Sequence, residues 1–256
     1  MGDQIKRRLF SFCLLILVLA AFVSGCTDEQ KENEKIQAPN NANETEFADI
    51  MTEANTAYVR ALVSTSQKNV SASESSLNIL ADRLSYISEN YGENPPEMYA
   101  TDKNWKTEIK RAVLIAKYSQ EKLVEGDIEA AHEVLEPMRD LFFSLHERNN
   151  VLHMGDYMTV FHASMEEAID AANANDTETV ATYIPRLGKE WQDVKNTDKP
   201  ASADEGYNQS LSQVDAAIEQ LNDSVNSGNS TLVQEDAESL RLSFAKVFAK
   251  YGVVIS

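Results

Sequence analysis

Cysteine is scarce in this chain of 256 residues, which contains two, Cys13 and Cys26. Both lie in or directly after the apolar N-terminal segment, and the chain beyond Cys26 contains none. A body without thiols cannot form disulfides, thiolate metal sites, a CxxCH haem attachment or a cysteine nucleophile. Its stability must therefore come from the packing of its secondary structure.

Basic residues are also few, with 23 Lys and Arg against 41 Asp and Glu and a net charge of −18. The first 25 residues carry Asp3 against Lys6, Arg7 and Arg8, a net of +2, so the remainder carries about −20. Phosphate backbones are bound by basic patches, and the sequence shows none. Nucleic acid is therefore excluded as a partner.

Catalytic sequence motifs are missing as well. The chain has no Gly-rich phosphate loop, no GxSxG and no HExxH, which are the patterns that place a phosphate, a serine nucleophile or a zinc ion. An extracellular hydrolase would need an active site that the sequence does not locate. We therefore predict that the protein is not an enzyme.

The N-terminus has the pattern of an export signal. A basic cluster at residues 6–8 precedes an apolar run from Leu9 to Val23. A membrane-spanning helix needs about 20 apolar residues, and this run is shorter. The alternatives are an uncleaved N-terminal membrane helix and a secretory signal without lipid.

The end of this run, Val23-Ser24-Gly25-Cys26, resembles the lipobox of bacterial and archaeal membrane lipoproteins, although Val23 stands where Leu is more common. The resemblance implies that residues 1–25 are a signal peptide and that cleavage precedes Cys26. It further implies that the Cys26 thiol carries a lipid such as palmitate, on the extracytoplasmic face of the cell membrane. The membrane, through this lipid, is the first predicted partner.

Residues 26–43 predict a flexible polar tether, because almost none of their side chains is apolar. From Glu44 onward, apolar residues recur every three or four positions, which predicts an all-α body of about eight helices. The predicted helices cover residues 44–68, 71–91, 102–125, 128–148, 157–174, 177–194, 203–227 and 230–251.

An internal duplication is predicted from repeated turn chemistry. Gly126-Asp127 would end one helix and cap the next, and Gly228-Asn229 repeats this pattern 102 residues later. The same register aligns residues 105–151 with 207–253 without a gap. We therefore predict two tandem antiparallel four-helix units, residues 44–151 and 152–256. The helices before them align more loosely, Met51 with Met165.

All four histidines fall within 31 residues of the chain, and carboxylates lie near them. Two His/Glu pairs are spaced four positions apart, which places each pair on one helix face, as a metal site would require. The candidate metal ligands are His132, His146, His153, His162, Glu136 and Glu166. Among these, His146, His162 and Glu166 are the first choice.

The predicted repeat indicates whether the fold requires these histidines. It aligns His132 with Gln234 and His146 with Phe248. The fold therefore does not require histidine at either position. The alternative interpretation is that these histidines border the core, cap helix ends or pair with local carboxylates. Haem is disfavoured, because its second ligand would be a methionine of the kind that usually fills cores.

Two functions are consistent with these features. The first is a lipid-anchored extracytoplasmic helical-bundle module that binds a small ligand or a protein partner. The alternative is a metal-handling or redox lipoprotein that uses the segment from His132 to His162, with a divalent metal or haem as cofactor.

Overall fold

A computed structural model describes residues 41–256 of the chain, with side chains from Glu44 onward. The described residues belong to one compact unit. The described residues are helical, with no strand among them, which confirms the predicted all-α class. The predicted signal peptide, the Cys26 lipid and most of the predicted tether lie outside the described residues.

Nine α-helices account for most of the described residues. Their bounds are α1 Asn41–Ser66, α2 Val70–Asn90, α3 Trp105–Val124, α4 Ile128–Leu135, α5 Pro137–Asn149, α6 Met154–Asn173, α7 Thr177–Lys195, α8 Tyr207–Ser227 and α9 Ser230–Tyr251. A short 3₁₀ turn, Glu97–Tyr99, lies between α2 and α3.

These bounds differ from the predicted ones in two informative places. Helix α1 begins at Asn41, so the last three residues of the predicted tether are helical. The predicted helix 128–148 is divided at Glu136 into α4 and α5. Pro137 is the first residue of α5, where its missing N–H costs nothing, and its ring prevents α4 from continuing.

The helices pack as two groups around one continuous hydrophobic core. In the first group, α1 packs on α2 and α4, and α3 packs on α2, α4 and α5. In the second group, each of α6 to α9 packs on two neighbours to close a ring. The groups meet where α5 contacts α6 and α1 contacts α9. Their independence as domains divided near residues 149–156 stays a prediction.

The turns of the second hairpin in each group have the same geometry. Gly126 and Gly228 have φ of 83° and 71°, a left-handed conformation that glycine adopts without strain. The side chains of Asp127 and Asn229 then accept hydrogen bonds from the first amides of α4 and α9. Because α4 and α9 begin 102 residues apart, the structure keeps the register that the sequence indicates.

The first hairpins repeat as well, but in a different register. Lys68 and Asn175, 107 residues apart, have φ of 57° and 59° and directly precede the caps of α2 and α7. This register pairs Met51 with Met158, both buried, instead of with Met165 as the sequence alignment suggested. Common descent of the two groups stays a prediction.

Across residues 41–256, none of the helices combines the length and the apolar character that a membrane crossing requires.

Candidate functional site

The structure divides the four histidines between two places. His132 and His162 border a cleft between the two helical groups, whereas His146 and His153 lie together at the start of α6. The six predicted metal ligands are therefore not one cluster. The first choice of ligands is also divided, because His146 lies away from the cleft that contains His162 and Glu166.

The cleft has a volume of about 320 Å³ and is bounded by α1, α4, α5, α6 and α9. Its floor and walls are apolar side chains from α1, α6 and α9, including Phe244 and Phe248. We call it the histidine cleft and define it by its polar residues, which are His132, Glu136, Arg139, His162, Glu166 and Arg241.

His132 connects α4 to α1. Its Nδ1 lies 2.8 Å from Thr65 Oγ1, and the Thr65 hydroxyl itself donates to the Ala61 carbonyl oxygen at 2.8 Å. His132 Nε2 lies 3.2 Å from Glu136 Oε1, and both residues line the cleft. Burial, and then the charge of Arg139, lowers the pKa of His132, so the imidazole is neutral at neutral pH.

His162 lies on the opposite wall, on α6. Its Nε2 is 3.4 Å from Glu166 Oε1, and its ring centroid is 5.7 Å from that of Phe244. Burial lowers the pKa of His162 to about 3, with the charges of Arg139 and other cleft residues acting in the same direction. Burial likewise raises the pKa of Glu166. His162 is therefore a neutral group at neutral pH.

Two arginines, Arg139 and Arg241, also line the cleft, and the 102-residue register aligns them with each other. Arg139 is 6% exposed, contacts Glu136 through Nη2, and lies with its guanidinium 5.8 Å from the Phe248 ring centroid. Arg241 donates from Nε and Nη2 to the two carboxylate oxygens of Glu238, at 2.8 and 2.6 Å. That register gave no indication that the two side chains line one cleft.

The predicted pairing of histidine and glutamate on one helix face is present in both walls, at the distances given above. In the part of the chain that the structure describes, however, no three His, Cys, Asp or Glu side chains are arranged to hold a metal ion. The structure therefore divides the predicted ligand set, and metal binding by these residues stays a prediction.

His146 lies in the interior, with no exposed surface, and not at the core boundary where helix periodicity placed it. Its Nδ1 is 2.9 and 3.0 Å from the Asp156 carboxylate oxygens. Asp156 Oδ2 also accepts the His153 backbone N–H at 2.7 Å, which caps the start of α6. The prediction was wrong because α6 and the segment after α9 cover a face that α5 alone would expose.

The segment after α9 packs against this cluster. The Asn55 side chain donates to the Gly252 carbonyl oxygen and accepts from the amides of Val254 and Ile255, at distances between 2.8 and 3.1 Å. Tyr99 donates its hydroxyl to the Ser256 carbonyl oxygen at 2.6 Å. The segment is thus held by polar groups from α1 and from the α2–α3 connection.

His146 Nε2 lies 3.4 Å from Ser256 Oγ, which together with Asp156 gives the order of an Asp-His-Ser triad. The same Nε2 is also 3.4 Å from the Ser256 carbonyl oxygen. A general base must reach a substrate, and this imidazole is fully buried. The arrangement therefore stabilises the chain and is not proposed as a catalytic site.

A larger groove of about 1330 Å³ runs along the first turns of α1, the connection after α7 and residues 252–256. Three basic and four acidic side chains line it, but they are spread over about four times the volume of the histidine cleft. Size alone therefore does not select it as the binding site.

No protein-family model matches the chain, and neither a curated protein nor a solved structure is significantly similar to it. Its function is therefore argued from the site itself.

Proposed function

We propose that this chain is a lipid-anchored, extracytoplasmic helical protein that binds a small ligand in the histidine cleft. The export signal and the lipobox support the location, and the polar segment after Cys26 supports a body held at a distance from the membrane. The cleft supports the binding role.

The observation that carries the proposal is the convergence of two neutral histidines and two arginines on one cleft. Binding sites for small molecules are concave, mostly apolar, and contain a few polar groups that fix the ligand's orientation; their volumes run from about 300 Å³ upward. The histidine cleft, at about 320 Å³, meets these criteria. Because the repeat places Gln234 where the first group has His132, the imidazole is not a requirement of the fold.

An equivalent contact in the second helical group supports the conclusion that the fold does not require an imidazole at position 132. His132 contacts Thr65 near the end of α1, and Gln234 donates to the Ala172 carbonyl oxygen near the end of α6, at 3.2 Å. Ala172 is the counterpart of Thr65 in the 107-residue register. Glutamine can thus make the equivalent contact between helices, and the additional property of His132 is an imidazole Nε2 that faces the cleft.

The alternative of metal or haem binding has no specific geometric observation in its favour. The methionines considered as haem ligands are buried in the core: Met154, Met158 and Met165 are at most 3% exposed. Buried methionines of this kind fill space between helices.

A fragment screen with a blocked-cleft variant tests the binding role. Thermal unfolding of the chain from residue 27 onward would be measured with small cationic, neutral and anionic fragments. Ala245 lines the cleft and is exposed, so Ala245→Trp should fill it without disturbing the core. Lys246→Trp, one residue later and exposed away from the cleft, is the matched control.

We expect at least one fragment to raise the melting temperature of the wild type and of Lys246→Trp, but not that of Ala245→Trp. If no fragment of any charge does so, the cleft is not a binding site and the proposal is wrong.

A further inference from the structure

We infer that the ligand of the histidine cleft is a small monocarboxylic acid with an apolar or aromatic body. This inference rests on the proposed function, since it names the class of ligand for the same cleft.

The first argument is the incomplete pairing of Arg139. This side chain is 6% exposed, and its carboxylate partner among the described residues is Glu136, engaged through Nη2. A guanidinium has further N–H donors arranged for bidentate contact with a carboxylate. An anionic ligand in the cleft would supply acceptors for these further donors.

The second argument is the guanidinium group of Arg241. Arg241 uses Nε and Nη2 for Glu238, which leaves Nη1 outside that pair. Both arginines line the cleft, and the charges of both lower the pKa of His162. Both guanidinium groups therefore act at His162, where they would offer a ligand carboxylate charged hydrogen-bond donors.

The apolar side of the cleft indicates what the rest of the ligand is. Phe244 and Phe248 are stacked with ring centroids 6.0 Å apart and an interplanar angle of 27°. Together with Met165 and the α1 side chains Leu62 and Val63, they form an apolar wall beside the arginines. An inorganic anion would leave this wall in contact with water, whereas an aromatic or aliphatic body would cover it.

Size and charge set the limits of the ligand. A volume of about 320 Å³ corresponds to about ten water molecules, each with a share of about 30 Å³. A ligand of about that many non-hydrogen atoms would fit. Glu136 and Glu166 line the same cleft and formally balance the two arginines, so each further negative charge on a ligand would lie near these carboxylates and be disfavoured. This favours a monocarboxylate over a dicarboxylate.

Isothermal titration calorimetry with phenylacetate tests the inference. Benzyl alcohol and benzylammonium keep the aromatic ring but change the charge, and inorganic phosphate and Zn²⁺ lack the apolar body. We expect phenylacetate to bind more tightly than each of these probes, with an exothermic signal from the charged hydrogen bonds.

The arginine variants identify the recognising groups. Arg241→Met should weaken phenylacetate binding about tenfold, because a hydrogen bond to a charged group is lost. Its side chain is 46% exposed, so this variant should fold. Arg139→Met should weaken binding at least as much, with circular dichroism checking its fold. Arg186→Met, an exposed arginine paired with Glu190 outside the cleft, is the matched control and should bind as the wild type does.

The failures of the two proposals are distinguishable. If benzyl alcohol, benzylammonium or Zn²⁺ binds more tightly than phenylacetate and Ala245→Trp abolishes that binding, the cleft is a binding site but the carboxylate inference is overturned. Unchanged phenylacetate binding in Arg241→Met and Arg139→Met would overturn it as well. If nothing binds in a manner sensitive to Ala245→Trp, both proposals fail.

Discussion

A methyl group at position 155 would overlap the backbone of the segment that follows α9. In the structure, a Cβ added to Gly155 would clash with the Val253 carbonyl oxygen, which belongs to backbone and cannot rotate away. Gly155→Ala should therefore destabilise the protein by about 2 kcal/mol or more, as overpacking in a rigid environment does. Urea unfolding would measure this change in the free energy of unfolding.

Gly188→Ala is the control for that substitution. Gly188 also lies in a helix, α7, and a Cβ there would meet no atom within 4 Å. Alanine should stabilise the helix there by about 0.5–1 kcal/mol. Equal effects of the two substitutions would show that the segment after α9 does not pack on Gly155.

The pKa of His162 predicts a pH dependence of stability. Burial lowers this pKa from 6.5 in the unfolded chain to about 3 in the folded protein. As the pH falls below 6.5, His162 therefore binds a proton in the unfolded state but stays neutral in the folded state. Stability is complete above pH 6.5 and should decrease towards pH 3, by up to about 1.4 kcal/mol per pH unit.

His162→Gln removes this titration and provides the comparison. Chemical unfolding of both proteins between about pH 5 and pH 6.5 largely avoids the titration of ordinary carboxylates. The difference in unfolding free energy between wild type and variant should change in favour of the variant as the pH falls. A pH-independent difference would mean that His162 is not shielded from solvent.

For single residues, the sequence predicted two side-chain contacts and missed the burial of one histidine. The four-residue spacing of His132/Glu136 and His162/Glu166 follows from helix geometry, and both contacts are present. The burial of His146 could not be predicted, because it depends on a segment more than a hundred residues away that covers it.

Between α5 and α6, the pair formed by His146 and Asp156 connects two helices that belong to different groups. Both side chains are at most 2% exposed. Asp156→Asn removes the charge opposite the imidazole and weakens the cap of α6. We expect a loss of about 3 kcal/mol in the free energy of unfolding, as when one partner of a buried pair is removed.

Asp193→Asn is the corresponding control, because Asp193 pairs with Lys189 on the surface of α7. Exposed pairs contribute at most about 1 kcal/mol, so this change should be small. A loss in Asp156→Asn no larger than in Asp193→Asn would contradict the assignment of the buried pair as a connection between the groups.

The helices themselves were largely predictable, because Gly, Asn and Asp mark their ends through local turn chemistry. The division at Pro137 follows from the missing amide and the proline ring, although apolar periodicity predicted one helix over residues 128–148. Two segments were not predicted: the connection that contains the Glu97–Tyr99 turn, and the segment after α9. Their conformations depend on distant contacts, such as the one between Asn55 and the segment after α9.

The two helical groups share one hydrophobic core, and the described residues belong to one compact unit. We therefore expect a single cooperative unfolding transition, even though the sequence predicts two tandem units. Differential scanning calorimetry of the chain from residue 27 onward should give a ratio of calorimetric to van't Hoff enthalpy near one. Two resolved transitions would instead support residues 44–151 and 152–256 as independent domains.

The repeat in the sequence indicated two similar groups, but it could not indicate the cleft. The cleft is formed where α1, α4 and α5 face α6 and α9, and the sequence does not encode that contact in any local pattern. Patterns within single helices therefore grouped His146 with His162, although the folded protein separates these two residues.

The most direct test of ligand binding in the cleft uses the four histidines as reporters. Two-dimensional ¹H–¹⁵N NMR of the imidazole rings, during titration with phenylacetate, observes both histidine pairs in one sample. We predict that the resonances of His132 and His162 shift in a saturable manner, whereas those of His146 and His153 do not. Shifts confined to His146 and His153, or no shift in any ring, would contradict the account.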